Sequence, residues 1–92
     1  MTPRFSLSTH GTSFATRARG EELRLDALEL AGEAPDLVLD FSGVARVSYS
    51  FADEFAGKLG MLYAVTVEGA NANVARHIDA AVARRTATPA TC

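Results

Sequence analysis

At 92 residues the chain has room for one domain with a modest hydrophobic core and little more. Apolar residues make up 48% and charged residues 22%, a globular balance that excludes an intrinsically disordered chain. The net charge of -2 excludes nucleic acid as the main partner, because neutralising phosphates takes a basic surface.

The remaining bulk features exclude further classes. Cys92 is the one cysteine, so an internal disulfide or a thiolate metal site is ruled out, and a reducing, cytoplasmic setting fits. His10 and His77 lack a spaced partner, and nothing in the sequence requires a metal or a cofactor. The opening MTPRFSLST has no apolar stretch long enough for a signal peptide, and no run approaches the roughly 20 apolar residues needed to span a bilayer.

Taken in order, residues 5–9 (FSLST) alternate, with Phe5 and Leu7 on one face, the mark of a strand. HGTS is a turn, in which Thr12 or Ser13 can cap a helix over residues 14–31. Leu23, Ala27, Leu28, Leu30 and Ala31 form its apolar stripe; Gly20 weakens or kinks it, and Gly32 and Pro35 end it. Residues 37–41 (LVLDF) read as a buried strand of the parallel kind, and after an SGVA turn Arg46 and Val47 add a strand residue or two. Ser50 then reads as the N-cap of a second helix, with Asp53 three residues on and Glu54 next to it, and with Phe51, Phe55, Leu59 and Leu62 as its stripe. AVTV, residues 64–67, is a third strand. Gly69 turns the chain, Asn71 or Asn73 caps a last helix, and Val74, Ile78, Ala81 and Val82 line its buried face. Arg84 and Arg85 close that helix where positive charge suits the dipole, and residues 86–92 read as a disordered tail after one domain over 1–85.

The order β-α-β-α-β-α predicts an α/β fold: a small, mostly parallel sheet with helices packed on it and right-handed crossovers. In such folds function gathers beyond the carboxyl ends of the strands, where Asp40 and Ser50 are both expected. A hydroxyl in the first turn of a helix is well placed to carry a phosphate, although Asp53 and Glu54 would repel it unless they point away.

The stretch LVLDFSGVARVSYSFADEFAGKL, residues 37–59, resembles the central motif of STAS domains, the anti-sigma-factor-antagonist fold. There a strand ending in Asp and a Ser-Gly-Val-like turn lead into an Asp-Ser-Ser-Gly helix start. SFADEF resembles more closely a STAS-like domain family of unknown function, in which a Ser-Phe-Ala-Asp-Glu segment stands in that place. Thr16-Arg17 and the helix from Asn73 to Arg85 fit the same layout, so the resemblance covers most of residues 12–85. It puts Asp40 at the strand-ending acid and Ser50 at the position of the regulatory phosphoserine. Ser48, Tyr49 and Phe51 depart from the motif's Asp, first Ser and Gly.

What the resemblance implies is a non-enzymatic regulatory module that binds a protein, an ATPase-fold kinase or an anti-sigma-like protein, and is switched by phosphorylation at Ser50. The implied docking edge comprises Asp40, Ser48, Tyr49, Ser50, Phe51, Asp53 and Glu54. Three alternatives stand beside it. A receiver-like phosphoacceptor at Asp40 lacks the acidic pair after the first strand and a suitably placed Lys, since Lys58 lies inside a helix. A hydrolase built on Ser50, His10 and Asp40 lacks a G-x-S-x-G elbow. A homodimeric structural or adaptor domain with no phosphoswitch would pair one of the sheet's two exposed edges with its twin. Arg17 and Arg19 read as a solvated face or as a site for a phosphate or an acidic partner, and Met61 and Tyr63 as packing or rim residues.

Overall fold

A computed structural model describes residues 2–87. The main sheet has three parallel strands, β1 (Arg4–Ser6), β3 (Asp36–Asp40) and β5 (Ala64–Glu68), in the order β1-β3-β5. A second, two-stranded parallel ladder joins β2 (Ser13–Phe14) to β4 (Arg46–Val47). The helices are α1 (Arg17–Ala31), a second helix over residues 49–59, and α3 (Ala72–Ala87). The second helix begins as an α-helix at Tyr49–Ala52 and widens into a π-helical turn over Asp53–Gly57. The fold class is thus the α/β arrangement expected, with the β2–β4 ladder added.

The strand order explains why this sheet is covered on one side only. Both crossovers step one strand in the same direction, so crossovers of one hand leave their helices on one face. Phe5, Leu37, Leu39, Val65 and Val67 face the helices. Arg4, Ser6, Val38, Asp40, Thr66 and Glu68 face away, and Arg4 reaches across β3 to Asp40 (3.1 Å) and Glu68 (2.6 Å). The strand expected over 37–41 is parallel to both neighbours; Leu37, Leu39 and Phe41 are fully buried, whereas Val38 and Asp40 are half-buried on the open face.

Other boundaries move for local reasons. Only Arg4–Ser6 of the first strand is extended, and Leu7–Thr9 tightens into a 3-10 turn that keeps Leu7 in the core. Residues 12–14 do not enter α1, because the ladder takes them: Ala45 N–H donates to the Thr12 carbonyl (2.7 Å) and Ser48 N–H to the Phe14 carbonyl (3.0 Å). Thr16 caps α1 instead of Thr12 or Ser13, its hydroxyl accepting from Arg19 N–H at 3.1 Å. Asn71 caps α3, its side-chain oxygen accepting from Val74 N–H at 2.8 Å. Of the second helix's stripe, Phe51, Phe55 and Leu59 are fully buried and Leu62 is exposed. The tail expected over 86–92 enters α3 as far as Ala87; residues 88–92, with Cys92, lie outside the described residues.

The second helix lies between α1 and α3 and touches both closely. Gly20 does not kink α1; a Cβ there would lie 3.1 Å from both Glu54 Cβ and the Phe51 carbonyl oxygen, so the small residue sets the approach of the two helices. Gly57 plays the same part toward α3, where a Cβ would meet Arg85 Cγ at 3.1 Å and the Ala81 carbonyl oxygen at 3.3 Å. Beneath them Phe5, Phe14, Phe41, Phe51 and Phe55 form one chain of ring contacts.

Gly69 closes β5 at a φ of +72°, and a Cβ there would collide with the Ser42 hydroxyl oxygen and lie 2.8 Å from the Ser42 backbone nitrogen. Gly69→Ala combines a left-handed backbone with a backbone clash and is expected to lower unfolding free energy by at least about 2 kcal/mol. Urea unfolding of the variant beside wild type checks it; an unchanged midpoint would contradict this account of the turn.

Candidate functional site

Ser48, not Ser50, is the N-cap of the second helix. Its hydroxyl oxygen accepts from Phe51 N–H at 3.0 Å, and its O–H donates to the Ala15 carbonyl at 2.9 Å, tying the helix start to the segment before α1. Ser48 wins because β4 ends at Val47, so the next residue is the last extended one and sits where a cap belongs. Ser50 falls in the first turn with its side chain exposed, and among the described residues its hydroxyl has no hydrogen-bond partner.

Ser50 opens into a pocket of about 690 Å³ whose other walls are Arg17, Tyr49, Asp53, Met61, Arg84 and Arg85. Arg17 comes from the first turn of α1, Arg84 and Arg85 from the last turns of α3. Tyr49 is 62% exposed and lies over the His77 ring at 4.3 Å between centroids, and Met61 is 57% exposed. The pocket thus joins an unoccupied hydroxyl, three guanidinium side chains and two large apolar groups at one end of the helical layer.

The two acids that follow are neutralised rather than repelling. Asp53 is held bidentately by Arg85, Nε to Oδ1 and Nη2 to Oδ2, both 2.8 Å, and also by Arg17 at 3.1 Å. Glu54 turns inward and is 5% exposed; it accepts from Arg17 (3.2 Å), Arg24 (3.1 Å) and Lys58 (3.1 Å). Two carboxylates therefore face four cations, and the cluster keeps a positive surplus. Arg24 adds to it with a buried Nε that has no partner among the described residues.

The Asp53 carboxyl is held far below the usual carboxylate range, first by the hydrogen bonds from Arg85 and then, against the opposing effect of burial, by those from Arg17. Burial is the largest influence on Glu54 and pushes its carboxyl up, but the hydrogen bonds from Lys58, Arg24 and Arg17 together outweigh it and leave the carboxyl below its ordinary value.

The residues expected at one docking edge divide. Tyr49, Ser50 and Asp53 line the pocket. Phe51 does not: it is fully buried, stacked on Phe14 (5.0 Å) and Phe55 (5.3 Å), because its place on the helix faces the sheet. Glu54 is likewise inside, and Ser48 is committed to its cap. Asp40 belongs to neither group: it lies on the open face of the sheet, where Ser42 N–H donates to it at 2.9 Å and Arg4 at 3.1 Å, and it does not line the pocket. The Ser42 backbone N–H is the first cause holding its carboxyl low.

Arg84 and Arg85, read from the sequence as dipole partners, and Met61, read as packing or rim, turn out to be pocket walls. The available signal was the adjacent acids Asp53 and Glu54, which on a central helix need cations from both neighbours. Among the described residues no group of three or more His, Cys, Asp or Glu side chains is arranged to hold a metal ion, and no helix is long and apolar enough to cross a membrane. No protein-family model, curated protein or solved structure matches the chain.

Ser48→Ala is expected to lower stability by about 1–2 kcal/mol, since it removes the cap and leaves the Ala15 carbonyl without its donor, while Ser50→Ala stays within about 0.5 kcal/mol of wild type. Denaturant titration of the two variants checks this; equal losses would restore Ser50 as the cap.

The pH dependence follows from the low carboxyls of Asp53, Glu54 and Asp40. A carboxyl lower in the folded than in the unfolded chain stabilises fully above the unfolded value of about 4, and that stability is lost as pH falls through the folded one. The thermal midpoint is therefore expected to fall between about pH 5 and pH 2, with a shallower fall in Asp53→Asn. Circular-dichroism melts across that range decide it, and a flat wild-type profile would refute the assignment.

Proposed function

We propose that this chain is a non-enzymatic regulatory module that binds a protein partner at the pocket around Ser50, with phosphorylation of Ser50 as the switch. The observation that carries this reading is the convergence of the exposed Ser50 hydroxyl with Arg17, Arg84 and Arg85 between the exposed Tyr49 and Met61. Aromatic residues, Met and Arg are the side chains enriched where proteins dock. Arginines around the rim favour a partner that presents carboxylates. A phosphate on Ser50 would add nearly two negative charges inside that pocket, engage the arginines and repel the partner's acids.

The pocket's lining favours binding over chemistry. Asp53 is its one carboxylate, and it is ionised and clamped by two arginines, which makes it a weak base for the neighbouring hydroxyl. The resemblance of residues 37–59 to the STAS motif supplies the partner class, an ATPase-fold kinase or an anti-sigma-like protein, and the single cysteine fits a cytoplasmic setting. The serine at the motif's phosphorylated position is the one that the fold leaves exposed, while Ser48 is used as a cap.

Wild type, Ser50→Ala and Ser50→Asp are used as baits in the source cytosol, and bound proteins are identified by mass. An ATPase-fold protein retained by wild type and Ser50→Ala and weakened about tenfold or more by Ser50→Asp is the expected result. Equal capture of that protein by all three would remove the switch. Capture of no ATPase-fold or anti-sigma-like protein by any of them would remove the partner class.

A further inference from the structure

We propose that the chain pairs with a second copy of itself along β5, antiparallel, in the register centred on Thr66. The proposal stands apart from the Ser50 pocket and needs no other partner. It starts from the difference between the two edges of the main sheet.

The β1 edge offers less to pair with. It is only three residues long, and the outward carbonyl of Ser6 is taken by the Thr9 hydroxyl at 3.0 Å before the chain turns away. The β5 edge has none of these protections. It is five residues long, reads AVTVE, and contains no Pro, no Lys and no bulge. Ala64 N–H donates inward to the Pro35 carbonyl, and the Glu68 carbonyl accepts inward from Phe41 N–H. Backbone groups alternate sides along a strand, so Thr66 also bonds β3, and the N–H and C=O of Val65 and Val67 point outward. Among the described residues those four groups have no partner.

An antiparallel two-fold through Thr66 satisfies all four. Val65 then faces Val67 of the second copy and Val67 faces its Val65, each pair exchanging both hydrogen bonds, while Thr66 faces Thr66 as the pair without them. Shifting the register by one residue, so that the paired positions sum to an odd number, sets outward groups against inward ones. Shifting it by two runs half of the pairing into the turn at Tyr63 or Gly69.

The side chains fit the same register. Glu68 falls opposite Ala64, so no like charges meet. Val65 and Val67 are on the helix-covered face but only half-buried, unlike Leu37 and Leu39 beside them on β3, and the cross-strand valine pairs would complete their burial. The result is a closed pair with one continuous six-stranded sheet, in which the unprotected edges face each other and the outer edges are the two protected β1 strands.

Sedimentation equilibrium of the full chain, from low to high micromolar, tests this directly. Wild type is expected to form dimers. Thr66→Lys places two ammonium groups opposite each other on the solvent face and is expected to raise the dissociation constant by about tenfold or more with an unchanged circular-dichroism spectrum. Val67→Pro, which removes an outward N–H that the monomer does not use, is expected to do the same. In a Cys92→Ser background, Thr66→Cys is expected to form an intermolecular disulfide on mild oxidation, and Glu68→Cys is not. A wild type that stays monomeric throughout, or a dimer that survives both Thr66→Lys and Val67→Pro, overturns the proposal; disulfide formation at 68 rather than 66 overturns the register.

Discussion

The fold turns on a buried carboxylate. Glu54 is placed at the centre of the helical layer, and an ionised group there survives only if cations and hydrogen bonds replace the water it loses. Arg17 and Arg24 reach it from α1 and Lys58 from its own helix, which fixes α1 to the second helix in one arrangement. Arg24 is the most buried of these partners, while Arg17 and Lys58 are more exposed, so the three share the compensation of the Glu54 charge. The preceding residue, Asp53, points the other way and fixes α3 through Arg85. Two adjacent acids thus hold the two neighbouring helices. The π-helical turn begins at this pair, and such turns are associated with functional sites more often than ordinary helix is.

The rest of the layer follows from a helix that has neighbours on three sides. Phe51, Phe55 and Leu59 face the sheet, Gly20 lets α1 come close, and Gly57 does the same for α3. With every helix on one face, the opposite side of the sheet is left to water and is lined by side chains that tolerate it: Arg4, Ser6, Asp40, Thr66 and Glu68. The ion pairs among them are exposed and add little stability. The apolar side chains on that face, Val38 and Ala64, are small.

Much of this was legible in the sequence because apolar spacing reports burial. The runs around Leu37–Leu39 and Val65–Val67, and the spacing of Phe51, Phe55 and Leu59, located strands and a helix within a residue or two. Features set by contacts distant in sequence were not legible. The β2–β4 ladder is two residues on each side, too short to leave a period, yet it moves the start of α1 to Thr16 and the start of the second helix to Ser48. Ser48 and Ser50 are the same residue type two positions apart, and only the end of β4 decides between them. Phe51 was read both in the helix's apolar stripe and, through the resemblance, at the docking edge; its helical position directs it into the core. Glu54 looked like a first-turn acid suited to the helix dipole; its burial depends on arginines 30 and 37 positions away in sequence.

The same distant pairing links the pocket to stability. Ser50 and Asp53 are three residues apart on one helix, so they share a face and the same arginines lie within the pocket that both line. Arg17 and Arg85 both hold Asp53. An anion beside Ser50, of the kind proposed above, would compete with Asp53 for those guanidinium groups. Such binding would be coupled, in both directions, to the contact that fastens α3 to the second helix. The charges that line the pocket are thus the ones that hold the helices together.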